Sequence, residues 1–390
     1  MESSDLFGGT WPPSPTPNAC ARVLRALAPG GLGIIYVRGS SSSKAKAALS
    51  SSEDAPTATA EGCLSCARAR LLHLAFELGA LDPLARGAIL SSAGVGRDGP
   101  RAAVLPLDLS ISTFNPSYAP AAAAGCAGEC AAGSAGGGAG RVRELMAGVG
   151  GALAGVCAAV AAAADKALDD EKGLTYPPSQ LFSLLIAAQT AKARLVMYAP
   201  VGPQPSGDLW QPWHLDFGLF TAITPPAYLG RAGATVAPPQ GAGLLVAAQG
   251  AVLSCVPPPD CIAVQVGEAA QLLSRGRLSA TPHAVRSPLS GLDGDAARAV
   301  LVVFCLPPWS TLLPDGEGGA ETGTRAAVLA ASQRALDCLP TPDAVPSLSK
   351  RWLGGVGATA QTFTDFAKLT TAAYYGKKGT GGTQRDVKRA

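Results

Sequence analysis

An α+β fold, with helices leading and an antiparallel β-core following, is what this chain predicts. Three observations predict it. In the first half, apolar residues recur at helical spacing between tracts rich in Ala, Gly and Ser. From Arg194 to Pro307, short runs of Val, Leu, Ile and Phe alternate with Pro/Gly turns, the pattern of a sandwich or barrel. Hydrophobic residues make up 47% of the 390 positions, ample for a core, whereas charged residues reach only 15%, well under the usual ~25%. Gly (47) and Pro (32) are in excess, and with Ala they concentrate in low-complexity tracts that read as inserts in a smaller folded unit. The chain therefore divides into an N-terminal helical region with inserts (1–191), a β-core (192–310), and C-terminal helices with a basic tail (311–390).

Taken in order, residues 1–18 are Pro- and Ser-rich and irregular. Ala19–Pro29 suits a short helix with Val23, Leu24 and Leu27 on one side, Arg22 and Arg25 on the other, and Gly30-Gly31 as its stop. Leu32–Val37 is a β-branched run and reads as a strand. Ser40–Glu61 has no periodicity and reads as an insert. Gly62–Leu81 carries Leu64, Leu71, Leu74, Ala75 and Leu78 on a helical stripe. Val104–Tyr118 is extended and ends in a turn at Asn115-Pro116, and Ala119–Gly140 is again low-complexity. Arg141–Lys172 is a long helix. Its uncharged stretch Leu145–Ala164, with Gly151 and Gly155 in a GxxxG, has the length of a membrane span. It is mostly Ala and Gly and is closely flanked by Arg143, Glu144, Asp165 and Lys166, so a buried core helix is the better reading. Pro177-Pro178 opens a helix over Ser179–Ala191. Strands are expected at Arg194–Tyr198, Trp213–Ile223, Gly243–Ala248, Val252–Val256, Ile262–Val266, Arg277–Arg286 and Ala299–Leu306. Gly316–Gly323 is an acidic loop and Thr324–Leu339 a helix. The closing helix Thr362–Tyr375 presents Phe363, Phe366, Leu369, Ala373 and Tyr374 as a docking face.

A formal net charge of +3 is too small to imply a nucleic-acid or membrane partner. The basic stretch Lys377–Ala390 reads as a solvated tail. Ten cysteines in a long chain whose N-terminus shows no signal-peptide pattern argue for reduced thiols and a cytoplasmic location. Cys63-Leu64-Ser65-Cys66 with His73 could suggest zinc, but there is no second CxxC, and Cys126 and Cys130 sit in a Gly/Ala tract.

The chemistry concentrates in Trp210–Gly218. His214 and Asp216, two apart on a strand, point to one face. His283 supplies a second imidazole, and the chain has only three histidines. Two imidazoles and one carboxylate form the facial triad of non-haem iron(II) sites, which leaves coordination positions open. Trp210 and Trp213 either line the mouth of such a site or pack beside it. Phe304 shares a face with Arg298 and has the same two readings.

The segment Trp213–Thr221 resembles the H-T-D-x-G-x-L-T segment of iron(II)/2-oxoglutarate-dependent dioxygenases of the isopenicillin N synthase-like branch. Val264–Arg277 resembles that branch's N-x-G-D-x-L-x-x-L-S-N-G-R segment, and Arg194–Pro200 is similar to R-x-N-Y-Y-P-P. The likeness is strong from about 194 to 306 and weaker over 19–191. It implies a double-stranded β-helix (jelly-roll) core with N-terminal and C-terminal helices. It also implies iron(II) held by His214, Asp216 and His283, with 2-oxoglutarate as co-substrate. Arg298 would anchor the distal carboxylate and Tyr198 would add a hydrogen bond, with Arg286 a weaker rival anchor. The partners implied are molecular oxygen and a small organic substrate, which is oxidised as 2-oxoglutarate is decarboxylated to succinate. Two departures stand out: Val196 replaces an asparagine and Val300 the serine of R-x-S. They keep open a 2-oxoglutarate-independent oxidase, or a non-catalytic binding protein, on the same fold.

Overall fold

The computed structural model describes residues 1, 5–6, 13–38, 64–97, 102–108, 140–170, 180–199, 209–288, 296–314, 323–341, 344–352 and 361–375. The inserts expected at Ser40–Glu61 and Ala119–Gly140, most of the loop Gly316–Gly323, the tail Lys377–Ala390 and the Cys126/Cys130 pair lie outside the described residues or almost wholly so. The elements run α1 Pro17–Leu27, β1 Ile34–Arg38, α2 Leu64–Ala80, α3 Pro83–Ser92, β2 Gly96–Arg97, β3 Ala102–Asp108, α4 Gly140–Asp169, α5 Leu181–Ala187, β4 Thr190–Tyr198 and β5 Leu209–His214. They continue with β6 Phe220–Ile223, β7 Ala227–Leu229, β8 Thr235–Val236, β9 Gly243–Ala248, β10 Ala251–Cys255, β11 Cys261–Val266, α6 Glu268–Leu273, β12 His283–Arg286, β13 Ala297–Cys305, α7 Gly323–Leu336 and α8 Phe363–Tyr375.

Helix boundaries follow local chemistry. The Thr16 side chain caps α1 by accepting from the Ala19 N–H, and Pro17 opens it. Asp82 caps α3 in the same way, accepting from the Leu84 and Ala85 N–H groups. The sequence reading missed α3, although Asp82-Pro83 is a start signal. It also ran the helix before β4 too far: α5 stops at Ala187, and Gln189 takes a left-handed φ of 58° before the strand begins at Thr190. Asp165 of α4 accepts from the Leu181 and Phe182 N–H groups and so fixes the start of α5 from outside.

The strands form two antiparallel sheets. Among the described residues, the larger is ordered β1-β11-β6-β13-β4-β3-β2, with β7 and β8 attached beside β13, and the smaller is β10-β9-β12-β5. Through the core the chain steps from sheet to sheet: β4 lies in the larger, β5 in the smaller, β6 back in the larger, then β9 and β10, β11, β12 and β13 by turns. That alternation is the connectivity of a double-stranded β-helix. The expected single strand Trp213–Ile223 is therefore two, β5 and β6, one in each sheet. The chain between them leaves both ladders to make the crossing. Likewise Arg277–Pro282 is irregular, and only His283–Arg286 pairs as a strand.

Alternation along the strands separates two kinds of packing. On β13, Ala299, Leu301, Val303 and Cys305 point to the helical layer, and Val300 to the space between the sheets. On β4, Ala191, Ala193 and Leu195 pack outward, and Val196 and Tyr198 inward. The outer layer is organised by α4, in which Leu153, Ala154 and Ala158–Ala161 are fully buried. This helix is long and apolar enough to cross a membrane, but it lies against α1, α2, α5 and the larger sheet, and that burial accounts for its composition. Its small residues allow close packing on the sheet: a Cβ on Gly150 would stand 2.8 Å from the Leu107 side chain of β3. Replacing the fully buried Leu153 by Ala should cost about 2–5 kcal/mol, read as a lower denaturation midpoint.

Candidate metal centre

His214, Asp216 and His283 converge. Their ligand atoms lie within 4.8 Å of one another, and no other such group occurs among the described residues. Strand pairing supplies the two imidazoles: His283 begins β12 directly opposite His214, which ends β5. The ring centroids are 4.2 Å apart at 55°. Asp216 is not on a strand. It sits in the crossing between the sheets, 8% exposed, and its backbone carbonyl accepts from the Glu268 N–H at 2.8 Å.

The donor set fits a divalent metal. Asp216 Oδ1 lies 3.9 Å from His214 Nε2, and Oδ2 lies 3.7 Å from His283 Nε2, too far for hydrogen bonds. Metal bonds of roughly 2.1 Å would span such gaps. Oδ2 is buried with no hydrogen-bond partner among the described residues, an arrangement costly unless something fills the space. Each Nδ1 faces a backbone carbonyl: Pro212 for His214 at 2.8 Å, and Thr281 for His283 at 3.2 Å. A carbonyl only accepts, so both Nδ1 atoms carry a proton, and in the neutral ring Nε2 is then the nitrogen that presents a lone pair to the centre. Burial, then the neighbouring His283, pushes the His214 imidazole down to about 4, so it is neutral at pH 7.

Two glycines make the crossing possible. A Cβ on Gly267 would fall on the Gly218 carbonyl, and a Cβ on Gly218 would stand 2.8 Å from the Cys305 carbonyl. Close approach lets Ala269 N–H donate to the Phe217 and Gly218 carbonyls and Gly267 N–H to that of Leu219. The start of α6 thus pins residues 216–219. The family-like segments around Gly218 and Gly267 therefore meet face to face, which their separation in sequence conceals.

At the other end of the space between the sheets lies Arg298, 3% exposed. Its Nε and Nη1 are buried without hydrogen-bond partners among the described residues. Tyr198 is its cross-strand partner, and the guanidinium carbon lies 5.4 Å from the Tyr198 ring centre. Trp210 stacks on the same tyrosine at 5.5 Å and donates Nε1–H to the Ala199 carbonyl. Val196 and Val300 oppose each other one step along the two strands, both buried. The remaining candidates separate. Trp213 packs on the outer face of the smaller sheet, and Arg286 donates Nε–H to the Gly241 carbonyl. His73 is 3.3 Å from Thr235, away from the triad, while Cys63 lies outside the described residues. Sequence reading missed Gln265 and Thr221. These are paired neighbours on β11 and β6, each 2% exposed, and Gln265 Oε1 is without a partner among the described residues. A glutamine in the inward register of a buried strand was the available signal.

No protein-family model and no curated protein sequence matches the chain. Among solved structures, a full-length Neurospora crassa protein in complex with alpha-KG and 5-formyluracil superposes with TM-score 0.52, at 14% identity, over 85% of this chain and 94% of that one. The dioxygenase for auxin oxidation 1 from Arabidopsis thaliana, solved with 2-oxoglutarate, gives 0.45 at 17% over 75% and 89%. The rice dioxygenase for auxin oxidation gives 0.44 at 18% over 76% and 80%. The first of these likenesses establishes a shared fold: an α+β protein with the two-sheet core that the strand order already describes.

Two outcomes follow. Gly267→Ala should destabilise the metal-free protein by about 1–3 kcal/mol, measured as a shift in denaturant midpoint. Because His214 is held from its ordinary 6.5 down to about 4, the unfolded chain takes up a proton there that the folded one refuses. Stability should therefore fall as pH drops from about 6.5 to about 4. In His214→Gln that part of the fall should be missing from the midpoint-versus-pH curve.

Proposed function

We propose that the protein is an iron(II)- and 2-oxoglutarate-dependent oxygenase acting on a small organic molecule. One observation carries the reading: two kinds of unsatisfied polar group face the same space between the sheets. They are the Asp216 carboxylate between the Nε2 atoms of His214 and His283, and the Arg298 guanidinium beside Tyr198. His214, Asp216 and His283 would hold the iron on one side and leave its other positions for co-substrate and oxygen. Arg298 would take the distal carboxylate as a charge-assisted fork, with Tyr198 beside it. Iron held there would supply the oxidation of a substrate C–H bond by molecular oxygen, coupled to conversion of 2-oxoglutarate to succinate and carbon dioxide.

What the chain itself contributes is arrangement. The carbonyls of Pro212 and Thr281 fix both imidazoles in the ligating tautomer. Val196, Ile223, Val246, Val285 and Val300 line the space with apolar walls, which exclude water and strengthen the charged contacts at either end. The two valines at the asparagine and serine positions remove polar partners, each worth roughly 0.5–1.5 kcal/mol. The unsatisfied Arg298 favours a carboxylate co-substrate over an oxidase that needs none. The Neurospora crassa protein of like fold is solved with alpha-KG, which supports the same reading. A cytoplasmic location with no membrane or nucleic-acid partner belongs to the proposal.

Anaerobic titration should show one iron(II) per chain and, on the loaded protein, measurable 2-oxoglutarate binding. Arg298→Ala should weaken that binding by roughly 10- to 150-fold, the worth of a charged hydrogen bond, while leaving iron binding intact. A wild-type protein that binds iron but not 2-oxoglutarate would sink the co-substrate assignment.

A further inference from the structure

The triad leans on a part of the chain that contributes no ligand to it. Residues 215–219 pair in neither sheet, so β5 fixes His214 but not the arm that carries Asp216. Among the contacts that hold the backbone of that arm, two lead to α8. Tyr374, in the last turn of α8, accepts a hydrogen bond from the Leu215 N–H at 2.9 Å. Leu215 is the residue between the two ligands. The second connection runs through Glu268, whose N–H holds the Asp216 carbonyl. The Glu268 carboxylate receives both terminal nitrogens of Arg351, at 2.7 Å each. Nη1 of Arg351 also donates to Thr370 of α8 at 3.0 Å, and Nη2 to the Pro346 carbonyl at 2.9 Å. Arg351 and Glu268 side chains are each 1% exposed.

An ion pair so buried is a poor way to gain stability, because desolvation offsets most of the attraction. It is an effective way to fix a geometry, since the bidentate fork tolerates one orientation of each partner. Here the geometry it fixes is that of Asp216. The Tyr374 ring packs at the edge of the outer cluster with Trp213, Leu215 and Val345. Its hydroxyl, kept protonated by burial and by the nearby Glu268 carboxylate, faces the arm.

We propose that Tyr374 and Arg351 are positioning residues for the metal ligands: α8 sets where the Leu215–Asp216 arm sits and so how tightly the triad closes on an ion. The inference rests on reading the triad as a metal site.

The test is a titration of the full-length, metal-free protein with cobalt(II). The visible d–d bands of cobalt report ligand number and geometry independently of turnover. Tyr374→Phe keeps the ring and removes the acceptor. It should weaken cobalt(II) binding by about 3- to 10-fold, the worth of one ordinary hydrogen bond, and shift the bands. Arg351→Lys keeps the charge but loses the fork, and should act in the same direction. Thr364→Ala serves as the control, because it removes a bond from the same helix to the Trp309 carbonyl without touching the arm. It should leave affinity and bands at wild-type values, whatever it does to the thermal midpoint. If wild type binds cobalt(II) and both Tyr374→Phe and Arg351→Lys bind it equally well with unchanged bands, the positioning role is wrong while the metal site stands. If all three variants weaken binding in proportion to lost stability, the effect is structural and the inference also fails. Absence of cobalt(II) binding by wild type would overturn the metal reading and this inference together.

Discussion

The crossing from β5 to β6 is the constraint on which the rest of this structure depends. The proposed metal triad needs a carboxylate to reach between two imidazoles that a strand pair already holds side by side. The chain achieves this by leaving the smaller sheet after His214 and entering the larger at Phe220. Between those points it has no ladder to satisfy its backbone. The N–H groups at the start of α6 do so instead, donating to the carbonyls of residues 216–218. That arrangement demands contact between backbones, which is why glycine stands at both 218 and 267.

The two faces of the larger sheet then divide the labour. The outer face is sealed by the Ala-rich α4, whose small side chains allow close packing and whose apolarity would otherwise suit a lipid environment. The space it faces holds few polar groups, and three are conspicuous: Asp216 in the crossing, Gln265 and Arg298 all have buried atoms without partners among the described residues. In a domain optimised for stability alone such atoms would be paired. Facing the space between the sheets, they suit the proposed ligands: cationic at the triad, anionic at Arg298.

Family-like motifs cover the barrel, but the third support of the site lies outside them. Residues 344–352 and 361–375 reach back to Leu215 and Glu268 with a tyrosine hydroxyl and a buried arginine. The apolar spacing of α8 predicts a docking face. Phe363 and Phe366 are indeed buried, whereas Ala373 is exposed, and the decisive contact is made by the polar end of Tyr374.

The sequence by itself determined the helices-then-strands order and the buried nature of α4, and it singled out His214, Asp216 and His283, which the fold brings together. Periodicity is a local property, and with only three histidines there were few ways to assemble a triad. It also singled out Arg298 and Tyr198, through motifs whose spacing is fixed by strand length. Only the tertiary structure decided that Trp213–Ile223 is two strands in two sheets, that Trp210 faces inward while Trp213 faces out, and that Gly218 meets Gly267. It alone showed that Arg351 pairs with Glu268. The reason is physical: these facts depend on where the chain leaves one sheet for the other. That choice is made by long-range backbone hydrogen bonds and packing, which no local pattern encodes.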